Sequence, residues 1–184
     1  MTAPEALGAI LARAEMLMRS RGYAAFSMDD LAAPEGLGSF LSSQEALGLA
    51  VVRRYREGFT ATLRRIEVTV PAAPARLRAY AHAFTDRAGD GLMPLCCALL
   101  AERSALPASL QEEVADFFRE QLGWLAGIVA EGLRAGTLRH PDPPEEVSLT
   151  LLDQLEGGSL IGWALRDPAP VLRAFESYLA ALQG

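Results

Sequence analysis

Apolar residues recur every three or four positions through each long segment of this 184-residue chain. This interval matches the 3.6-residue turn of an α-helix and places the apolar side chains on one face. One run rich in β-branched residues, IEVTV at 66–70, has no second run with which it would pair. The sequence therefore predicts an all-α fold of about eight or nine helices.

Proline, glycine and capping residues divide the chain into these helices. Ser27 precedes a short helix that Pro34 and Gly36 end, and Ser27 and Asp30 have the spacing of a capping box. Ser42 or Ser43 is placed to cap the next helix. The predicted helices cover residues 4–20, 27–33, 44–68, 74–87, about ten residues from 94, 107–135, 144–165 and 168–182.

The charge and the cysteine content limit the classes of protein to which the chain can belong. The net charge is −6 and all 17 cations are arginines, so the chain lacks the excess of cations that nucleic-acid binders commonly carry. No uncharged apolar run is long enough for a membrane span, and no basic leader precedes one, which favours a cytoplasmic protein. Two adjacent cysteines and two histidines predict no disulfide framework, metal site, cofactor site or catalytic arrangement, so we expect no enzyme.

The first fifty residues resemble the DNA-binding head of the TetR family of transcriptional regulators. The resemblance rests on AILARAEMLMRSRGYAAFSMDDLAA and SSQEALGLAVV, with matches at Gly22, Tyr23, Ser27, Leu31, Ala32, Ser43, Glu45 and Leu47. It implies a helix-turn-helix-like, three-helix head over residues 1–46 and a helical ligand-binding and dimerisation domain over residues 47–184. It also implies a homodimeric, ligand-responsive repressor that binds operator DNA.

The segment between the two matching stretches is shorter than such a head requires. Residues 34–42 supply nine residues, whereas a turn and a two-turn recognition helix need about ten or eleven. Gly36 and Gly38 each cost about 1 kcal/mol relative to alanine in a helix, and residues 34–45 hold two acids and no cation. Two explanations are open. The chain has lost operator binding and acts as a dimeric ligand-binding or protein-interaction module, or residues of the molecule are missing from the sequence here.

Five residues are predicted to contact DNA by this resemblance. Ser27 offers a hydroxyl and a backbone N–H at a helix N-terminus, where phosphates bind. Gln44 stands where the family has a phosphate-binding lysine, so that cation is absent. The full set is Ser27, Gly38, Ser39, Phe40 and Gln44.

Aromatic residues in the later helices predict a pocket for a small apolar ligand, although a filled core would use the same residues. The adjacent cysteines are interpreted either as thiols activated at a helix start or as small buried residues. The predicted ligand-binding residues are Tyr80, Phe84, Cys96, Cys97, Phe117, Phe118, Trp124 and Trp163.

The last two predicted helices have broad apolar faces. Two such helices from each of two chains would form a four-helix bundle across a twofold axis; packing within one chain is the alternative. The predicted interface residues are Val147, Leu151, Leu155, Gly158, Gly162, Leu165, Phe175 and Leu179.

Overall fold

The computed structural model describes residues 3–31, 42–87, 92–167 and 169–184. Within these ranges the chain is helical and contains no strand, which confirms the all-α prediction. The α-helices are α1 (Ala3–Arg21), α2 (Gln44–Thr69), α3 (Ala73–Arg87), α4 (Leu95–Ala101), α5 (Ala108–Arg134), α6 (Pro144–Leu165) and α7 (Ala169–Gln183). No helix in the described ranges combines the length and the apolar character needed to span a bilayer.

The described ranges hold seven α-helices, fewer than the eight or nine predicted, together with the 3₁₀ helices Met28–Leu31 and Arg103–Ala105. Of the helix predicted over 27–33, the described part is the 3₁₀ helix Met28–Leu31, in which the N–H of Asp30 donates to the carbonyl of Ser27, three residues earlier, at 3.2 Å. The predicted DNA-contacting residues Gly38, Ser39 and Phe40 lie outside the described residues.

Local hydrogen bonds explain where several helices begin and end. Ser43 is the cap of α2, since its Oγ accepts the N–H of Ala46 at 3.1 Å. Gly136 follows α5 with φ +69, and Arg166 follows α6 with φ +55. Both residues stand in the left-handed position of a Schellman motif, in which the next residue donates to a carbonyl five positions back.

One compact unit comprises Met1–Gly58 and Pro94–Phe117. Its core contains apolar faces from α1, the first half of α2, α4 and the start of α5. Among its most deeply buried side chains are those of Met18, Leu47, Leu95, Leu99 and Leu110.

A second compact unit comprises Phe59–Met93 and Phe118–Gly184. Here α6 packs along α7, and both contact α3. Its most deeply buried side chains include those of Phe59, Leu77, Tyr80, Leu125, Leu151 and Phe175. The boundary predicted between residues 46 and 47 divides the chain by function, and these units neither coincide with it nor test it.

Candidate functional site

Gln44, at the start of α2, uses its side-chain amide inside the first unit. Nε2 donates to the carbonyl oxygens of Tyr23 at 2.6 Å and Phe26 at 3.1 Å. An amide nitrogen has two hydrogens, so both are engaged by these two bonds. The side chain thus ties the first turn of α2 to the loop after α1, at the position where a phosphate contact was predicted.

Ser27 likewise directs its donors to a carboxylate of its own turn. Its backbone N–H and its Oγ both donate to Oδ2 of Asp30, at 2.8 and 3.2 Å. The hydrogen bond from the Ser27 N–H, with a smaller contribution from Arg21, holds the pKa of Asp30 below its ordinary value. Asp30 is therefore ionised at neutral pH, and a phosphate at Ser27 would have to displace this anion.

The capping box predicted here is only half formed. The Asp30 carboxylate accepts the Ser27 N–H as expected, but the Ser27 hydroxyl donates to that carboxylate and does not cap the N–H of Asp30. The Asp30 N–H is already bonded to the Ser27 carbonyl.

Five arginines of the first unit are engaged by acids and carbonyls of the same unit. The contacts are Arg19 to Glu15 at 3.8 Å, Arg21 to Asp30 at 3.4 Å, Arg53 to Glu113 at 2.9 Å, Arg56 to Glu113 at 2.6 Å, and Arg54 to the carbonyl of Gly8 at 3.0 Å. Residues 1–60 hold six arginines and seven acids. A phosphate backbone approaching these five arginines would compete with partners that they already have.

The turn after α1 is also held by a residue distant in sequence. Oε2 of Glu102, directly after α4, accepts the N–H of Ala24 at 2.9 Å. Gly22 has φ +90, and a Cβ at this glycine would overlap the Glu102 carboxylate. This carboxylate therefore joins the end of α4 to the turn that precedes Ser27.

The predicted ligand residues divide between the two units. Tyr80 and Trp124 meet within the second unit, where their rings are stacked with centroids 5.6 Å apart and planes at 22°. Phe59, which was not predicted, contacts Tyr80 edge to face at 5.8 Å. Phe84 is buried and Phe118 half-buried in the same unit, whereas Trp163 is 55% exposed on α6.

The other predicted ligand residues belong to the first unit. Phe117 packs against Tyr55 with ring centroids 5.4 Å apart. Cys96 and Cys97 are not joined in a disulfide, and both are buried near the start of α4. The interpretation of these cysteines as small buried residues agrees with their placement, and their reactivity remains a prediction to be measured.

Gln121 is a polar residue of this region that the sequence prediction missed. It is 1% exposed on α5, and its Oε1 accepts the hydroxyl of Tyr80 at 2.6 Å. A signal was present in the sequence, because Gln121 interrupts the apolar series Leu110, Val114, Phe117, Leu125 and Ile128 at helical spacing. A polar residue on such a face needs a buried partner.

Most residues of the predicted dimer interface pack within the second unit. Val147, Leu151, Leu155, Gly162, Phe175 and Leu179 are buried, and a Cβ at Gly158 would stand 3.1 Å from Cα of Val171. Leu165 is the exception, at 66% exposed. Elsewhere α6 carries large exposed apolar side chains, namely Leu149, Leu160, Ile161 and Trp163.

Comparison with solved structures defines the class of fold. A TetR-family transcriptional regulator from Agrobacterium tumefaciens matches with a TM-score of 0.92 at 22% identity, over 100% of both chains. A TetR transcriptional regulator from Legionella pneumophila matches with a TM-score of 0.86 at 22% identity, over 99% of this chain and 98% of that one. The reduced form of NemR from E. coli matches with a TM-score of 0.85 at 19% identity, over 97% of each chain.

The chain therefore has the fold of TetR-family transcriptional regulators, as the N-terminal resemblance predicted. No protein-family model matches the chain, and no curated protein matches it significantly.

Proposed function

We propose that this protein is a homodimeric, ligand-responsive transcriptional regulator of the TetR type, acting as a repressor on operator DNA. The observation that carries the proposal is the fold match over 100% of both chains with a TetR-family regulator. Occupation of a small-molecule site would shift the population of head conformations and so change affinity for the operator. The proposal assigns no catalytic step to the chain.

The outer surfaces of the last two helices support dimerisation. Leu149, Leu160 and Trp163 give α6 an exposed apolar face that a second copy would cover. On α7, an open groove of about 540 Å³ is lined by Pro170, Arg173, Ala174 and Ser177. Of these residues, Ala174 and Ser177 have small side chains, which allow a partner helix to approach closely.

A second candidate is a dimer of the same fold that binds a ligand but not operator DNA. It is favoured by the engagement of Ser27 with the ionised Asp30, and of Gln44 with the carbonyls of Tyr23 and Phe26. The short, acidic segment 34–45 in the sequence points the same way.

A DNA titration distinguishes the two candidates. Fluorescence anisotropy would be measured with a labelled duplex from upstream of the protein's own gene and with a scrambled duplex, at several salt concentrations. A regulator prefers the native duplex and loses affinity as salt rises, with a log–log slope of about −0.9 per neutralised phosphate. Absence of a preference even at low salt rejects operator binding and supports the second candidate.

In the same titration, the variant Asp30→Ala tests whether Ser27 contacts a phosphate. The variant removes the anion and releases both donors of Ser27, so we expect tighter binding to the native duplex, by about threefold to tenfold, if Ser27 meets a phosphate. Asp86→Ala, at an exposed acid on α3 in the second unit, is the matched control and should leave affinity within about twofold. Equal effects of the two variants would mean that only net charge matters and that Ser27 makes no phosphate contact.

A further inference from the structure

Two buried N–H donors of the second unit have no acceptor among the described residues. They are Nε2 of Gln121 and Nε1 of Trp124. Gln121 and Trp124 are three positions apart on α5 and therefore lie on the same side of that helix. Tyr80, which is fully buried, contacts both: its hydroxyl donates to Gln121 and its ring stacks on Trp124.

The hydrogen bond from Tyr80 determines which way the Gln121 amide faces. Because Oε1 accepts the phenol at 2.6 Å, Nε2 must present its hydrogens to the opposite side. A buried donor without an acceptor destabilises the folded state. Two such donors on one helix face, next to a stacked aromatic pair, are the arrangement expected of a site that is completed by an acceptor from outside the chain.

We propose that Gln121 and Trp124 bind the oxygen acceptor of an uncharged aromatic small molecule, whose ring lies against the Tyr80–Trp124 stack. This inference rests on the proposed function, for which it specifies the class of ligand. The acceptor is of the carbonyl type, because both protein groups are donors there. The aromatic character follows from the ring pair, since a third flat ring can pack on such a stack in an offset or edge-on arrangement.

The charge of the ligand follows from the groups around the cluster. The polar groups that meet here are a phenol, an amide and an indole, all of them neutral. Two arginines of α3 are engaged elsewhere: Arg76 donates to Glu131 at 2.8 Å and Arg78 to Glu176 at 3.0 Å. A buried carboxylate costs far more free energy than a buried carbonyl when no cation pairs with it, so the site selects a neutral molecule.

Three probes of similar shape test this chemistry on the full chain. 2-Acetylnaphthalene has the carbonyl acceptor, 2-ethylnaphthalene lacks it, and 2-naphthoate carries a negative charge. The chain has two tryptophans, so ¹⁵N–¹H spectra show two indole signals, which Trp163→Phe assigns. We expect 2-acetylnaphthalene to bind at least tenfold more tightly than the other two and to move the Trp124 signal downfield, with the Trp163 signal unchanged.

Two variants each remove one donor. Trp124→Phe keeps an aromatic ring, and Gln121→Met keeps most of the side-chain volume. Each should weaken binding of 2-acetylnaphthalene about fivefold to tenfold and leave 2-ethylnaphthalene within about twofold. Val68→Ala, at a valine of the second unit that is 85% exposed on α2, is the control and should not change either affinity. Circular dichroism verifies the helical fold of each variant, and Trp124→Phe alone decides the outcome if Gln121→Met does not fold.

The proposal is overturned if the ethyl and acetyl compounds bind equally, if 2-naphthoate binds best, or if none of the probes moves the Trp124 signal. The proposal is also overturned if magnetisation still transfers between water and the Trp124 indole N–H at saturating 2-acetylnaphthalene, because the acceptor is then solvent. Operator binding is measured on the same preparation. Specific DNA binding without probe binding therefore rejects this inference and leaves the proposed function standing. Probe binding without DNA binding supports this inference and rejects the proposed regulator function.

Discussion

At the scale of single residues, Gly22 is the position in the head that tolerates least change. Its φ of +90 lies in the region that L-residues avoid, and a Cβ would overlap the carboxylate of Glu102. That carboxylate accepts the N–H of Ala24 at 2.9 Å, so a displacement would also break a hydrogen bond. The glycine is therefore required both by backbone conformation and by the approach of a side chain distant in sequence.

Gly22→Ala should lower the free energy of unfolding by about 2 kcal/mol, from left-handed strain and one weakened hydrogen bond. Gly8→Ala, on α1 where a new Cβ meets nothing within 4 Å, is the matched control. It should raise the free energy of unfolding by up to about 1 kcal/mol, because alanine favours a helix over glycine. Urea denaturation followed by circular dichroism measures both, and equal signs would refute the proposed role of Gly22.

At the scale of helices, α5 and α6 end in the same motif with different residues. Gly136 and Arg166 occupy its left-handed position, with φ of +69 and +55. The hydrogen bonds are equivalent, from Thr137 to the carbonyl of Gly132 and from Asp167 to that of Gly162. Of these two residues only Arg166 has a Cβ, and a Cβ crowds the backbone in the left-handed conformation.

Arg166→Gly should therefore stabilise the protein by up to about 1 kcal/mol, and Gly136→Ala should destabilise it by about 1 kcal/mol. Thermal unfolding by calorimetry would show the two changes as shifts of opposite direction. Arg64→Gly, at an exposed position inside α2, controls for the general cost of glycine and should destabilise by about 1 kcal/mol. A loss of stability in Arg166→Gly equal to that in the control would contradict the motif's role.

At the scale of the whole molecule, the question is which surface a second copy would cover. Most of the predicted interface residues on α6 and α7 are buried by contacts inside the second unit. The exposed apolar residues Leu160, Ile161 and Trp163 occupy a different part of α6. A homodimer built on the last two helices would thus use their outer faces.

Leu160→Glu should weaken the dimer at least about 30-fold, which corresponds to about 2 kcal/mol, because a charge would enter an apolar contact. Sedimentation equilibrium at micromolar concentration would show wild-type protein at twice 19.7 kDa and the variant closer to the monomer mass. Val68→Glu, at a valine that is 85% exposed on α2, is the matched control and should remain dimeric. A wild-type chain that sediments as a monomer would reject the dimer itself.

The sequence predicted the helices well because their signals are local. Spacing of apolar residues and the position of proline, glycine and serine placed α6 at residues 144–165, where it is observed as Pro144–Leu165. It predicted less of the site. The aromatic bulk of Tyr80 and Trp124 predicts a ligand site. A polar residue on the apolar face marks Gln121, but the sequence does not show that its partner is Tyr80, 41 residues away.

By itself, the sequence determined the helical class, most helix boundaries and the likeness to the TetR head, since each depends on residues within a few turns of one another. The tertiary structure decided how polar groups are used. It turned Gln44 toward the carbonyls of Tyr23 and Phe26, and it buried two donors of α5 without an acceptor among the described residues. It also assigned one apolar face of α6 to the core and left the other exposed. Helical periodicity identifies an apolar face, but only the packing of distant segments decides what covers it.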